Sequence, residues 1–257
     1  MKNEPAVTKE EIQAIDFFQD FIIYLKYFEE KPIKLTATGN ISLKDIHELS
    51  KRFKEQEVFE EYKHFGWKIT TEPQIQFLHQ INIIAKVMHL TYKNKSALSI
   101  TKNGKEFLKN LLPLEQFKEM VLHYWYRVNW DYFTPTREIY GISFSERLQD
   151  VQKSIWHAFL NKGVNWIDYS EFCKSLNLYF NFAPYFEDYP YRTPEEELKS
   201  EIRHVLFRRN LILFGCVEIE EKGKKWDAKI VRFRATQPGL YVFQKALYES
   251  YPIEASY

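Results

Sequence analysis

The chain is poor in several things that would otherwise narrow its function. Cysteine occurs twice in 257 residues, at Cys173 and Cys216, with no CxxC pair and no histidine at zinc spacing. That pattern excludes a disulfide framework and argues against a structural metal site. Net charge is nearly absent: 36 Lys and Arg stand against 35 Asp and Glu. Bulk charge therefore cannot hold the chain on nucleic acid, and any such contact must come from a local basic face. Long apolar runs are missing as well. The densest, "FIIYL" and "LILFGCV", fall far short of a membrane span, and "MKNEPAVTKEE" lacks the apolar core of a signal peptide. The expectation is a soluble protein of the reducing cytoplasm with no membrane partner. Glycine is scarce, and Gly39 stands alone rather than in a GxGxxG or GxxxxGK[ST] loop, so no phosphate cradle is read there. Nothing calls for a cofactor.

What the chain does have is an apolar content of 45%, enough for two cores of ordinary size. From Glu10 to Glu29, Ile12, Ile15, Phe18, Ile22 and Leu25 recur at three- and four-residue steps, which predicts one long helix. "KPIKLT" reads as a short strand, Gly39 as a turn at positive φ, and Ser42, with Asp45 three residues on, as the N-cap of a helix. "TTEPQIQFLHQINIIAKVMHL" predicts a second strong helix. Phe77, Leu78, Ile81, Ile84, Ala85 and Met88 lie on its inner face, and Gln76, His79, Gln80 and Lys86 on its outer one. Two short strands about the turn "NKS" follow, and a Gly104 turn leads into a further helix.

The second half repeats this order. Ser145 is read as an N-cap before Leu148, Val151, Ile155 and Phe159; Asp168 starts a shorter helix; and Thr193, Pro194 and Glu196 fit the N-cap, first-turn proline and N3 glutamate of a third. "LILFGCVEIEE" and "AKIVRFRATQPGLYVFQKAL" then give two strands about the turn "KGKKWD" and a closing helix. "ALSITKNGKEFLKNL" and "VRFRATQPGLYVFQKAL" share a strand, a T-x-x-G turn and a helix, with Thr101 and Gly104 answering Thr236 and Gly239. Both glycines are expected at positive φ. The predicted class is mainly α with short antiparallel β-hairpins (α+β). Residues 1–112 and 145–257 form two winged-helix-like units, and residues 113–144 form an aromatic helical joint between them, with Trp125, Tyr126, Trp130 and Tyr132 read as core.

"LTATGNISLKDI", "FLHQINIIAKVMHLTYKNKSALSITKNGKEFL" and "FRRNLILFGCVEI…VRFRATQPGLYVF" resemble a bacterial family of tandem winged-helix proteins that carry an LTxTGNL-type segment and two lxlTxxGxxl motifs. The resemblance extends from Ile33 onward and departs from a compact winged helix between Leu178 and Arg192. It implies the architecture and brings no catalytic residue.

Catalytic patterns are not met. "GISFS" is not a GxSxG elbow, the "HEL" at His47 is not HExxH, and the histidines at 47, 64, 79, 89, 123, 157 and 204 form no ligand pair. Glu220-x-Lys222 and Asp227-x-Lys229 offer only a remote metal-dependent nuclease reading, lacking further acids. The favoured function is therefore non-catalytic binding of double-stranded DNA. Gln76, His79, Gln80 and Lys86 would face the duplex from a helix and Lys93 and Lys95 from its hairpin; Arg203, Arg208 and Arg209, with Lys222, Lys224, Lys225, Lys229, Arg232 and Arg234, would form one second basic face. Nearby acids, Glu195 to Glu197 and Glu218 to Glu221 among them, oppose that second face. The alternative is a protein-interaction adaptor using Tyr185, Phe186 and Tyr189 of "YFNFAPYFEDYPYR".

Overall fold

The computed structural model describes residues 6–187, 192–223 and 228–249. They fall into two compact units, Thr8–Val128 and a second that begins at Asn129. Lys224, Lys225 and Tyr189 lie outside the described residues. The division falls within the stretch read as a joint, so its long helix goes with the first unit and the remainder with the second.

In the first unit, Thr8 and Glu11 cap a short helix α1 (Lys9–Gln13) reciprocally. The single helix expected over 10–29 is interrupted at Ile15, whose backbone is extended, and α2 (Asp16–Glu30) starts afresh with Asp16 in its first turn. Phe17, Phe18, Phe21, Tyr24, Leu25, Tyr27 and Phe28 give α2 a broad buried face. Strand β1 (Ile33–Lys34) runs into a tight turn in which Gly39 takes φ +85. Ser42 then caps α3 (Leu43–Ser50) by accepting from the Asp45 amide. Helix α4 (Glu57–His64) follows, in a stretch the periodicity left as a connection, then a 3-10 turn at Glu72–Gln74 and α5 (Gln76–Val87). Strands β2 (Thr91–Asn94) and β3 (Ala97–Ile100) form a hairpin, and α6 (Lys102–Asn110) and α7 (Pro113–Arg127) close the unit. The antiparallel sheet has the order β1-β3-β2, with Ile33 opposite Leu98 and Thr91 opposite Ile100.

The second unit opens with the hairpin β4 (Glu138–Ile139) and β5 (Ile142–Ser143). Helix α8 (Phe144–Asp150) is capped by Ser143 with Glu146, two residues before the expected Ser145, which is buried and donates to the Thr134 carbonyl instead. Then come α9 (Gln152–Lys162), β6 (Ile167–Asp168), α10 (Tyr169–Phe180) and α11 (Pro194–Ile202), the last with the Thr193/Glu196 capping box. The α11 helix continues as a π-helix over Arg203–Ile212. Strands β7 (Val217–Lys222) and β8 (Lys229–Ala235) and helix α12 (Gln237–Tyr248) complete it, and the sheet order is β6-β8-β7. Phe233 sits among Phe159, Phe172 and Phe207, while Trp156 stacks on Phe243 at 4.9 Å.

The two T-x-x-G turns share one set of hydrogen bonds. Thr101 Oγ1 accepts from Gly104 N at 2.9 Å and donates to the His89 carbonyl at 2.8 Å; Thr236 Oγ1 accepts from Gly239 N at 3.0 Å and donates to the Gly215 carbonyl at 2.7 Å. Neither Gly104 nor Gly239 has the positive φ expected of it. Both occupy the third position of a helix, and glycine is required there by space: a Cβ would lie 2.4 Å from the Leu90 carbonyl oxygen at Gly104 and 2.0 Å from that of Cys216 at Gly239.

Candidate nucleic-acid interface

Helix α5 is buried on almost every side: Phe77, Leu78, Gln80, Ile81, Asn82, Ile83, Ile84, Ala85 and Val87 are all inside. The half-exposed residues are Gln76, His79 and Lys86. At steps of three and seven they lie on one stripe with Ile83. Gln80, expected on the outer face, is fully buried and donates its amide to Tyr124 Oη at 2.9 Å. This corrects its assignment as a base-reading side chain: a partner 44 residues away on α7 satisfies one of its polar atoms.

A buried carboxylate organises the stripe. Glu72, with no exposed surface, accepts from the Ile41 amide at 2.8 Å and from Asn82 Nδ2 at 2.6 Å, and pairs with His79 Nδ1 at 2.9 Å. Asn82 in turn accepts from Tyr24 Oη at 2.9 Å. Burial pushes the Glu72 pKa up, but the bonds from His79, Ile41 and Asn82 outweigh it, so the carboxyl titrates below its ordinary value. Glu72 thereby ties the end of the Gly39 turn to α5.

Within that turn Thr36 Oγ1 and Thr38 Oγ1 lie 3.0 Å apart, and Thr36 Oγ1 also accepts from the Asn40 amide at 3.1 Å. A Cβ on Gly39 would lie 3.4 Å from Lys93 Nζ, so the β2 lysine rests against the turn. Lys86 is close enough to feel it. Burial lowers the Lys86 pKa, Glu72 counteracts this, and the Lys93 charge lowers it further. Lys93 and Lys95 are exposed on the hairpin, Lys95 in the left-handed region at φ 51. None of Lys86, Lys93 and Lys95 forms an ion pair or side-chain hydrogen bond with a described residue.

The second basic face is built differently. Arg208 pairs with Glu221 at 2.6 Å, Arg232 with Glu220 at 2.7 Å, and Arg234 with Glu218 at 2.6 Å. Arg203 donates to the Ala228 carbonyl. The Arg232 and Arg234 guanidinium groups also lie 4.7 and 4.9 Å from the Trp166 ring centroid. Lys222 and Lys229 face each other across the hairpin, both exposed. Arg232 and Arg234 are thus neutralised by acids across the strands and Arg208 by an acid of β7, all of whose positions were visible in the sequence.

The tyrosine-rich segment is corrected too. Tyr185 and Phe186 are buried, 5.8 and 5.1 Å from the Phe144 ring. They belong to the core of the second unit, where Phe144, itself fully buried, meets Phe182, Tyr185 and Phe186 edge to face. Sequence reasoning missed Glu72, for which the only local signal is its position ahead of Pro73. It also missed α4, which buries none of its residues.

Among the described residues no helix is long and apolar enough to cross a membrane. Residues 16–112 match the model of a protein family described as the Y4jL N-terminal domain. The matched segment begins with α2, ends at the residue before α7, and contains the whole of the stripe, the Gly39 turn and the β2–β3 hairpin. No curated protein and no solved structure matches the chain.

Proposed function

We propose that the chain is a non-catalytic DNA-binding protein built of two winged-helix units, and that the first unit makes the contact chiefly through phosphates. The observation that carries this reading is the set Lys86, Lys93 and Lys95, none of which forms an ion pair with a described residue: Lys86 near the end of α5 feels both the buried Glu72 and Lys93, and Lys93 and Lys95 are exposed on the hairpin. An anion placed among them relieves the repulsion between Lys86 and Lys93. The order helix, strand, two helices flanking α4, and hairpin, with its β1-β3-β2 sheet, suits a wing lying beside a groove. The burial of α5 shifts the weight from base edges to the backbone, since only Gln76, His79 and Lys86 reach its surface.

Fluorescence anisotropy on mixed-sequence DNA over a salt series tests this. Affinity should fall steeply with salt, and changing Lys86, Lys93 and Lys95 together to alanine should flatten the slope by about 0.9 per lost contact. Changing Lys222 and Lys229 should have a smaller effect. A salt-independent or undetectable interaction at low salt removes the proposal in favour of the protein adaptor. Exposed Leu178 and Tyr179 near the end of α10 are the surface that favours an adaptor.

A further inference from the structure

Helix α4 ends in a run in which aromatic and basic residues alternate: Tyr62, Lys63, His64, Phe65, Gly66, Trp67, Lys68. Gly66, at φ +66, reverses the chain in a Schellman motif. Its amide donates to the Lys63 carbonyl at 3.2 Å, and the Trp67 amide reaches back to that of Tyr62 at 2.9 Å. The reversal lays Trp67 on Phe65, with ring centroids 4.8 Å apart and planes within 24°, and sets Tyr62 edge-on to Trp67 at 5.8 Å. A Schellman motif accounts for the contact between Tyr62 and Trp67, which occupy its usual apolar pair of positions. It does not account for Trp67 remaining 61% exposed and Phe65 43% exposed on a helix that buries nothing.

This platform is anchored at the start of α5. Phe59 meets Phe77 of α5 at 5.8 Å, and Tyr62 Oη donates to the Gln74 carbonyl at 3.3 Å, two residues before Gln76. The stacked rings therefore stand by the N-terminal end of α5 and the lysines by its C-terminal end, about 18 Å apart along a twelve-residue helix. That is the span of several nucleotides of extended strand. Lys63 and Lys68 add cations beside the rings; Lys63 has only a long, exposed contact of 3.9 Å to Glu60, and Lys68 has no ion pair among the described residues. Flat exposed rings interleaved with cations suit unpaired bases, whose π faces are hidden in a duplex.

We infer that Phe65 and Trp67 form a base-stacking platform, and that the first unit prefers single-stranded nucleic acid, or a duplex with an unpaired end, to intact double-stranded DNA. The inference rests on the phosphate-contact reading and narrows its ligand.

The test uses the full chain with three labelled probes of about twenty nucleotides: oligothymidylate, oligouridylate and a mixed DNA duplex. Oligothymidylate should bind at least about tenfold more tightly than the duplex, and Phe65→Ala with Trp67→Ala should weaken it roughly ten- to a hundredfold while leaving duplex binding unchanged. Trp67→Phe should retain most of the affinity but lose the indole quenching that oligothymidylate produces in the parent chain, a readout that stands even if the alanine variant melts early. Equal oligouridylate binding extends the ligand to RNA and supports the platform. If the duplex binds as well as the single strand and the ring variants change nothing, the platform is overturned while the lysine contact stands. If no probe binds at low salt, both readings fall.

Discussion

The two units end their hairpins on the same backbone device and treat charge in opposite ways. In the first, the Leu90 amide donates to Ala85, His89 sits in the left-handed region, and Thr101 and Gly104 close the turn. In the second, Cys216 donates to Leu211, Gly215 is left-handed, and Thr236 and Gly239 close it. Yet Lys86, Lys93 and Lys95 form no ion pair with a described residue, whereas Arg208, Arg232 and Arg234 each hold a glutamate. The difference teaches that a few backbone bonds can build the same framework while the cations around it are paired in one unit and not in the other. Exposed cross-strand pairs contribute little to stability, so the arginine ladder is better understood as cancelling a field than as holding the fold.

The sharpest way to break the structural half of this comparison is at the glycines. Gly239→Ala should destabilise the second unit by about 3 kcal/mol and Gly104→Ala the first by about 2 kcal/mol, because a methyl group at either site meets a backbone carbonyl that cannot rotate aside. Urea unfolding gives the totals, and hydrogen exchange assigns each loss to its unit. Two neutral variants would mean that the turns are not equivalent in the way their hydrogen bonds indicate.

These same turns show what a sequence conveys and what it withholds. Thr101, Gly104, Thr236 and Gly239 were visible as a repeat, but the reason for glycine was not: φ is a local property, whereas the approach of Leu90 or Cys216 arises only when the hairpin closes. Helices with caps and a clean apolar stripe, such as α3, α10 and α11, were legible for the same reason that they form, since their signals lie within a turn of one another. Gln80 and Tyr185 misled because their burial depends on Tyr124 and Phe144, at 44 and 41 positions' remove. The lysines of the candidate site were read from their places on the helix and hairpin; their lack of ion pairs among the described residues, and the Glu72 clamp that ties the Gly39 turn to α5, belong to tertiary structure.

The next test concerns that clamp, which has no match among the exposed pairs of the second unit. Glu72→Gln should cost about 2 kcal/mol, as one buried acceptor of three bonds becomes a poorer one. The pH dependence has a definite sign. A carboxyl whose folded pKa lies below its ordinary 4.5 contributes stability that is fully present above that value and is lost as pH falls through the lowered folded pKa. The parent chain should therefore lose stability below about pH 4.5 more steeply than Glu72→Gln, with the excess confined to amides of the first unit in hydrogen exchange. Parallel acid profiles would mean that Glu72 is not the anchor of the stripe.

The smallest expected effect isolates the left-handed position, histidine in the first turn and glycine in the second. His89 holds φ 55 where the second unit places Gly215 at φ 62, each as the left-handed residue that ends a helix. A side chain in that region is strained by roughly 1 to 2 kcal/mol, and glycine returns part of the gain through the greater freedom of its unfolded chain. His89→Gly should therefore stabilise the first unit by about 0.5 kcal/mol, given that the exposed imidazole has little packing to lose and the carbonyl that accepts from Thr101 is kept. Gly215→His should cost the second unit a similar or slightly larger amount. The two sites share no hydrogen-bond partner, so the effects should add, and the double variant should unfold at nearly the parental urea concentration. Hydrogen exchange on that variant decides the matter: the balance of protection should move toward the first unit while the sum is conserved, as it must if the left-handed position plays the same part in both turns.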